Sequence, residues 1–180
     1  MAEKPDEEPA IEEIKGENCP FCGEKKLTLR EMVRDVPYFG MLHIFSMDCE
    51  ACHYHKADVE AEEDKGPVRY DLKIDSEDDM KIRIVKSSSA IIKIPYVGSI
   101  ESGENANGYV TNVEGILNRL KVQVEKIRDE TDDKSERKKA KNIIKKIQDC
   151  MWGRKELKMT LEDPHGNSAI ISEKAEKKKL

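Results

Sequence analysis

Four of the five cysteines occur as two pairs with the same internal spacing. Cys19 and Cys22 form one C-x2-C pair, and Cys49 and Cys52 form a second one after a spacer of 26 residues, 23–48. Two such pairs on either side of a strand-rich spacer are typical of a four-thiolate tetrahedral zinc site, the zinc-ribbon arrangement. Gly23 suits a knuckle turn, which often needs a left-handed residue. The spacing therefore predicts one structural zinc ion bound by these four cysteines.

Two other chemistries match part of this pattern. The stretch from Cys49 to His53 reads C-x-x-C-H, the motif for covalent haem attachment, and a single C-x-x-C can be a redox dithiol. Haem attachment requires export, whereas residues 1–15 contain no apolar segment of the kind that a secretory signal needs. A redox dithiol needs one pair rather than two. Because four cysteines complete a tetrahedron, we expect His53 and His55 to be exposed and not to bind the metal.

Composition excludes several classes of protein. The chain of 180 residues has 32 Lys and Arg against 37 Asp and Glu, a net charge of -5, which disfavours nucleic acid as the main partner. No apolar run is long enough to span a membrane. We expect a cytoplasmic protein, in which thiols stay reduced and paired cysteines indicate metal binding.

The elements that must position the cysteines follow from hydrophobic periodicity. Period-two alternation in residues 68–100 predicts short strands, and apolar residues at helical spacing predict a helical hairpin at about 111–151. The sequence thus predicts a mainly β fold with an α insertion. Its predicted segments are a disordered acidic leader (1–16), a zinc ribbon (17–60), a linker (61–67), a β-domain that carries the hairpin (68–172) and a basic tail (173–180).

A candidate contact surface lies between the two predicted ribbon strands. Pro37, Tyr38 and Phe39 come at this point, and exposed aromatic side chains at such a tip would be natural anchors for a protein partner. The alternative is that Phe39 packs beneath the zinc site as part of the core.

Several motifs, in order, resemble those of the ZPR-type zinc-finger family, the archaeal relatives of the eukaryotic zinc-finger chaperones of translation elongation factor 1-alpha. The resemblance covers about residues 17–172 and departs from the family at His53, where the family usually has glycine; relatives in eukaryotes also duplicate the whole unit. The matching stretches are Cys19-Pro20-Phe21-Cys22, Val36-Pro37-Tyr38-Phe39, Phe45-Ser46-Met47-Asp48-Cys49, Tyr109-Val110-Thr111-Asn112-Val113-Glu114-Gly115 and Leu161-Glu162-Asp163-Pro164-His165-Gly166-Asn167-Ser168.

This resemblance implies an elongated four-cysteine zinc ribbon followed by a jelly-roll-like β-domain that carries a helical hairpin. It also implies a protein-interaction module that binds translation elongation factor 1-alpha and assists its folding. The residues themselves favour binding over catalysis, because no nucleotide-binding or nucleophile motif is present and no acid–base pair can be placed. We therefore expect a protein that is not an enzyme.

The alternative function is that of a nucleic-acid-binding zinc ribbon, or of a factor regulating transcription or translation. The basic run at residues 134–147 could contact phosphates. It also fits the solvated face of an amphipathic helix, which the acidic chain as a whole favours.

Overall fold

The computed structural model describes residues 10–63, 65–103 and 105–180. The first part is an antiparallel sheet in the order β1-β2-β3-β4. Strands β2 and β3 form a long hairpin whose register runs from Leu27 opposite Cys49 to Val36 opposite Gly40. The strands are β1 (Ile11–Glu17), β2 (Leu27–Val36), β3 (Gly40–Cys49) and β4 (His55–Ala61).

Strand β1 corrects the prediction of a disordered leader over residues 1–16. Residues 11–17 pair with β2, and Glu13 forms an ion pair with Arg30 at 3.1 Å. Every side chain of β1 is exposed, so backbone hydrogen bonds to the neighbouring strand hold it, and no apolar face marks it in the sequence. The rest of the predicted leader, residues 1–9, lies outside the described residues.

The second part consists of two antiparallel sheets, in the orders β12-β5-β10-β7-β8 and β11-β6-β9. Together with two helices they confirm the predicted fold class, a zinc-ribbon region followed by a jelly-roll domain with a helical hairpin. The strands are β5 (Val68–Ile74), β6 (Arg83–Lys86), β7 (Ile91–Ile94), β8 (Gly98–Ile100), β9 (Tyr109–Asn112), β10 (Leu157–Asp163), β11 (Ala169–Ile171) and β12 (Glu176–Lys179).

The hairpin consists of α1 (Val113–Glu130) and α2 (Lys134–Met151). Asn112 caps α1, because its side chain accepts a hydrogen bond from the backbone N–H of Gly115 at 2.8 Å. Both helices contribute to the core of the β-domain, with Ile116 and Leu117 from α1 and Ile147 and Cys150 from α2 among the buried residues.

Strand β12 corrects the prediction that residues 173–180 form only a basic tail. Residues 176–179 pair with β5, and Lys178 forms an ion pair with the buried carboxylate of Asp71 at 2.8 Å. Because a buried carboxylate requires charged or hydrogen-bonding partners, Asp71 favours a lysine at this edge of the sheet. The side chains of β12 are all exposed, which explains why the segment resembles a tail.

Polar side chains of the β-domain hydrogen-bond to the last ribbon strand. The amide oxygens of Asn107 and Asn167 accept from the backbone N–H groups of Ala57 and Ala61, at 3.0 and 3.1 Å. On the ribbon side, the Asp58 carboxylate accepts from the backbone N–H of Ser88 at 2.8 Å. These bonds attach β4 to the β-domain.

Neither helix in the described parts of the chain combines the length and the apolar character that a bilayer-spanning helix requires.

Candidate metal centre

The two cysteine pairs occupy matching turns at one end of the ribbon. In the first turn the backbone N–H of Gly23 donates to the carbonyl of Cys19 at 2.9 Å, and in the second that of His53 donates to Cys49 at 3.0 Å. Gly23 has φ 77° and His53 has φ 58°. Both turns therefore need a left-handed residue just after the second cysteine, and His53 fills that position without being glycine.

The four sulfur atoms converge. The Sγ atoms of Cys19 and Cys52 lie 3.8 Å apart, those of Cys22 and Cys49 lie 3.7 Å apart, and all four lie within 4.8 Å of one another. A regular tetrahedron with metal–sulfur bonds of about 2.3 Å has sulfur–sulfur edges of about 3.8 Å. The thiols are also much too far apart for disulfides, whose sulfurs lie about 2.05 Å apart. The arrangement fits a tetrahedral ion such as zinc.

The thiols would resist carrying four negative charges without a cation. Burial raises the pKa of Cys19, but backbone N–H groups of Cys22 and Phe21 and neighbouring sulfurs outweigh it and lower this pKa to about 7. At Cys52 the backbone at Tyr54 lowers the pKa, whereas burial and the other three sulfurs raise it to about 12. A thiolate at Cys19 thus opposes ionisation of Cys52, and a divalent cation would remove this repulsion.

The end of the ribbon that carries the sulfurs has a very small core. Its buried members are Cys19, Leu27 and Cys49, separate from the large core of the β-domain. Tyr54 packs against this cluster, and its ring stacks on that of the exposed Phe21 at a centroid distance of 6.0 Å and an interplanar angle of 6°. The sequence analysis missed this pair, although both aromatic residues lie within two positions of a cysteine. Because so little apolar surface is buried here, a bound metal ion would be the main stabilising element at this end.

Neither histidine belongs to the sulfur cluster. Among the cysteine, histidine and acidic side chains of the described residues, the group that could hold a metal here contains the four cysteines alone. His55 is exposed, and its Nδ1 lies 2.7 Å from an oxygen of Asp48, a carboxylate that also accepts from Arg30 at 2.9 Å.

The opposite end of the β2–β3 hairpin holds the predicted partner-binding residues. Pro37 and Tyr38 are exposed there, and Tyr38 is fully so. Phe39 instead is buried in the core of the β-domain, so the expectation that it forms part of an exposed tip is wrong, as is the alternative that it packs beneath the zinc site. The Nζ of Lys65 covers its ring at 3.9 Å, and Lys65 also donates to the Phe39 carbonyl.

A second turn of the same kind occurs in the β-domain. Residues 36–40 read VPYFG and residues 94–98 read IPYVG. Tyr38 has φ 65° and Tyr96 has φ 64°, and each turn closes with a backbone hydrogen bond, Phe39 to Val36 at 2.9 Å and Val97 to Ile94 at 3.0 Å. A turn of this form favours glycine at the tyrosine position, so both tyrosines are held in a strained conformation on the surface. The shared P-Y-x-G pattern could have revealed the pair.

Fold and site together define a class of protein, a four-cysteine zinc-ribbon protein with a jelly-roll domain that carries a helical hairpin. The chain belongs to the ZPR1 family. Its residues 11–64 match the ZPR1 zinc-finger domain, and its residues 78–180 match the ZPR1 jelly-roll domain. The resemblance seen in the sequence motifs is confirmed.

Relatives match nearly the whole chain. An uncharacterised ZPR1-like protein of Pyrococcus horikoshii is 37% identical, over 94% of this chain and 78% of the relative. One of Methanocaldococcus jannaschii is 38% identical, over 94% of this chain and 87% of the relative. The zinc finger chaperone zpr1 of Schizosaccharomyces pombe is 26% identical, over 84% of this chain but only 33% of the longer relative.

Proposed function

We propose that this chain is a zinc-binding module for protein interaction that binds translation elongation factor 1-alpha and assists its folding. Cys19, Cys22, Cys49 and Cys52 would hold one zinc ion, and the ion would hold the knuckles in place. Sulfur–sulfur distances of 3.7 and 3.8 Å support this ligand set, because they equal the edges of a zinc–thiolate tetrahedron. The name of the fission-yeast relative, a zinc finger chaperone, supports a protein as the partner.

The observation that carries the binding proposal is the conformation of Tyr38. This side chain is fully exposed and its backbone lies in the left-handed region. An exposed aromatic residue contributes nothing to the core, and the left-handed conformation costs about 1–2 kcal/mol. Such strain, where it persists, is a feature of binding sites. Pro37 beside it stiffens the turn, so the ring would be presented to a partner at a low cost in entropy.

The test is capture of purified archaeal elongation factor 1-alpha by the immobilised full-length chain. We expect Tyr38→Ala to weaken binding by about 2 kcal/mol, roughly 30-fold, as for an aromatic anchor at an interface. Tyr96→Ala is the matched control, since it alters a tyrosine in the same strained turn whose ring, unlike that of Tyr38, already has a partner in the chain, the Nζ of Lys146 at 4.9 Å. We expect it to bind as the wild type does.

The two parts of the proposal fail separately. If the wild-type chain does not capture the elongation factor, the proposed partner is wrong. If the wild type captures it and Tyr38→Ala does so equally well, the partner stands and the tip is not its contact.

The alternative of nucleic-acid binding is tested by the same preparation. Helix α2 exposes Lys138, Lys139 and Lys141, and no ion pair to any of the three is found within the described residues. Filter binding of RNA and DNA at rising salt measures whether this face neutralises phosphates. Submicromolar affinity with a steep salt dependence would favour the alternative over the protein partner.

A further inference from the structure

The ribbon sheet separates the charges of β2 between its two faces. Successive side chains of a strand point to opposite faces, so Glu31, Val33 and Asp35 lie on one face of β2 and Arg30 and Arg34 on the other. The β2–β3 register is continuous, so this alternation holds along the whole hairpin. One face of the ribbon therefore carries the acids of β2 and the other face carries its bases.

Side chains of β3 and β4 complete the face that carries the acids, because cross-strand neighbours lie on the same face of a sheet. Strand β3 contributes Met41, His43, Phe45 and Met47, and β4 contributes Glu60, which is opposite His43. We call this surface the acidic face. It is defined by Glu31, Val33, Asp35, Met41, Phe45 and Glu60.

Strand β3 forms an apolar column along the middle of the acidic face. Met41 is exposed, and Phe45 and Met47 are half-buried. Ile14 of β1 and Val33 of β2 lie on the same face, and both are exposed. An apolar patch that reaches the solvent and is bordered by polar residues is a feature of interaction sites.

The core of the β-domain does not cover this column. Leu42 and Val59 belong to that core, and their side chains point to the opposite face of the ribbon sheet. Where the acidic face meets the β-domain, a hollow of about 670 Å³ is lined by Phe45 and Glu60 together with the exposed His165. The acidic face is therefore accessible to a partner.

Acids border the apolar column on both sides. Asp35 of β2 and Glu60 of β4 are exposed, and the described residues contain no ion pair to either carboxylate. The carboxylate of Glu31 lies 2.9 Å from Nδ1 of His43. Lys56, at the knuckle end of β4, donates to a carbonyl of the β-domain at 2.7 Å. The potential at this face is therefore negative, which attracts a cationic partner and repels phosphate groups.

The dimensions of the column match those of a helix. From Met41 to Met47 the column is about 20 Å long at roughly 3.4 Å per residue, and strands β2 to β4 span about 10 Å. An α-helix is about 10 Å wide and rises about 1.5 Å per residue, so about 13 residues would cover the column. A helix that packs on one face of a sheet is an ordinary layer arrangement.

We propose that the acidic face binds a basic amphipathic helix of a protein partner. The apolar stripe of this helix packs along Met41, Phe45 and Met47. Lysine or arginine side chains on the two flanks of the stripe meet Asp35 on one side and Glu60 on the other. This surface is separate from the Tyr38 turn, and it does not depend on the elongation factor being the partner.

The test is an NMR titration of the zinc-loaded, full-length chain, labelled at its methionine methyl groups, with the amidated peptide LKKLLKKLKKLLK. This peptide has leucine at helical spacing and lysine on both sides of the stripe. We expect saturable binding with a dissociation constant of about 10–100 μM that weakens as salt is added. The methyl signals of Met41 and Met47 should shift, whereas those of Met80 and Met159, buried in the β-domain, should not.

Two further peptides test the chemistry of the ligand. LKLKLKLKLKLKK has the same composition with leucine at strand spacing, and LEELLEELEELLE replaces every lysine by glutamate. We expect each to bind about tenfold more weakly or not at all. Equal binding of the first would assign an extended segment, and equal binding of the second would exclude charge complementarity. Either result overturns the proposal.

Reversal of both acidic borders tests the site. Asp35→Lys combined with Glu60→Lys should weaken binding of the helical peptide about tenfold. Glu130→Lys combined with Glu173→Lys is the matched control, because it makes the same change of charge at exposed sites outside the ribbon and should not change the affinity by more than about twofold. All four side chains are exposed, so both variants should fold, and thermal unfolding checks that they do.

The proposal is overturned by no saturable binding, by unchanged affinity in the ribbon variant, by an equal loss in the control, or by shifts at Met80 and Met159 in place of Met41 and Met47. Because peptides replace the partner, these outcomes are separate from capture of the elongation factor. Failure of capture leaves the acidic face as a site, and failure of the peptide leaves the contact at Tyr38.

Discussion

At the scale of single residues, the two knuckle turns differ at one position. Gly23 and His53 make the same backbone hydrogen bond with positive φ, but only glycine adopts that conformation without a steric penalty. His53 is exposed, so its side chain gains little from packing in return. The second turn therefore carries strain that the first does not.

Replacing His53 by glycine should stabilise the zinc-loaded protein. The left-handed conformation costs a residue with a side chain about 1–2 kcal/mol, and the greater freedom of glycine in the unfolded chain returns part of this. We expect the free energy of unfolding to rise by about 1 kcal/mol, measured by chemical denaturation. Gly23→Ala is the converse control and should lower it. An unchanged or lower stability of His53→Gly would show that the imidazole makes a compensating contact.

Metal content separates the cysteines from the histidines. We expect one zinc ion per chain in the wild type, loss of zinc in Cys49→Ser, and full zinc content in His53→Ala and His55→Ala, as measured by atomic emission. The reason is that the four sulfurs alone complete the tetrahedron, while His55 is hydrogen-bonded to Asp48. Loss of zinc from either histidine variant would refute this ligand set.

At the scale of elements, the two ends of the β2–β3 hairpin are stabilised by different amounts of buried apolar surface. Val36, Phe39 and Leu42 belong to the large core, whereas the sulfur end has only a small cluster of its own. Chelation of zinc should therefore release one end of the hairpin and leave the other folded.

Hydrogen exchange followed by mass spectrometry measures this difference. After chelation we expect protection to fall in residues 17–30 and 46–56 and to persist in residues 36–44 and in both helices. A Cys49→Ser chain should show the same pattern without chelator. Loss of protection throughout the protein would mean that the ribbon and the β-domain unfold as one unit.

Elements with one buried face were predictable from the sequence, and elements without such a face were not. The hairpin helices and the strands around Leu72, Ile84, Ile92 and Leu161 alternate apolar and polar residues in step with their period. Strands β1 and β12 have no buried side chain, so their pairing depends on neighbours that periodicity does not reveal.

The same reasoning separates the parts of the candidate sites. The spacing of the cysteines indicates the metal cluster without knowledge of the fold, because its candidate ligands are two pairs of residues that are close in sequence. The burial of Phe39 depends on contacts with the β-domain and with Lys65, beyond the turn itself. A cleft in the β-domain is lined by Lys86 from β6, Tyr109 from β9 and Arg119 from α1, which only the tertiary fold brings together.

At the scale of the whole molecule, the buried carboxylate of Asp79 links an early segment of the β-domain to its last strands. Burial raises the pKa of Asp79, but the ammonium of Lys174 and the backbone N–H groups of Asp75 and Ser76 outweigh it and lower this pKa from 3.8 to about 2. Lys174, between β11 and β12, lies 2.7 Å from an Asp79 oxygen. This contact ties the last strands of the chain to the segment after β5.

Acid should weaken this contact in a defined range. The pKa of Asp79 is lower in the folded protein than in the unfolded chain, so its stabilisation is present above about pH 4 and is lost as the pH falls towards 2. The shift corresponds to about 2 kcal/mol. Lys174→Met should lower the free energy of unfolding at neutral pH, and its deficit relative to the wild type should shrink between pH 4 and pH 2.

Zinc release over the same range should affect both proteins alike, so the difference between them isolates the contacts that Lys174 makes with Asp79 and Asp75. Lys81→Met, which alters an exposed lysine paired with Asp78, is the control and should follow the wild type. A deficit that stays constant down to pH 2 would contradict the assignment.

The length of the β2–β3 hairpin limits what kind of molecule can use both of its ends. Ten residue pairs separate the knuckles from the Tyr38 turn, a distance of about 30 Å at roughly 3.4 Å per residue. An interface of standard size covers about 800 Å² on each partner, a patch of similar width. A partner that touches both ends must therefore span about 30 Å, which a folded domain does readily, whereas a linear peptide would need at least about nine residues in an extended conformation.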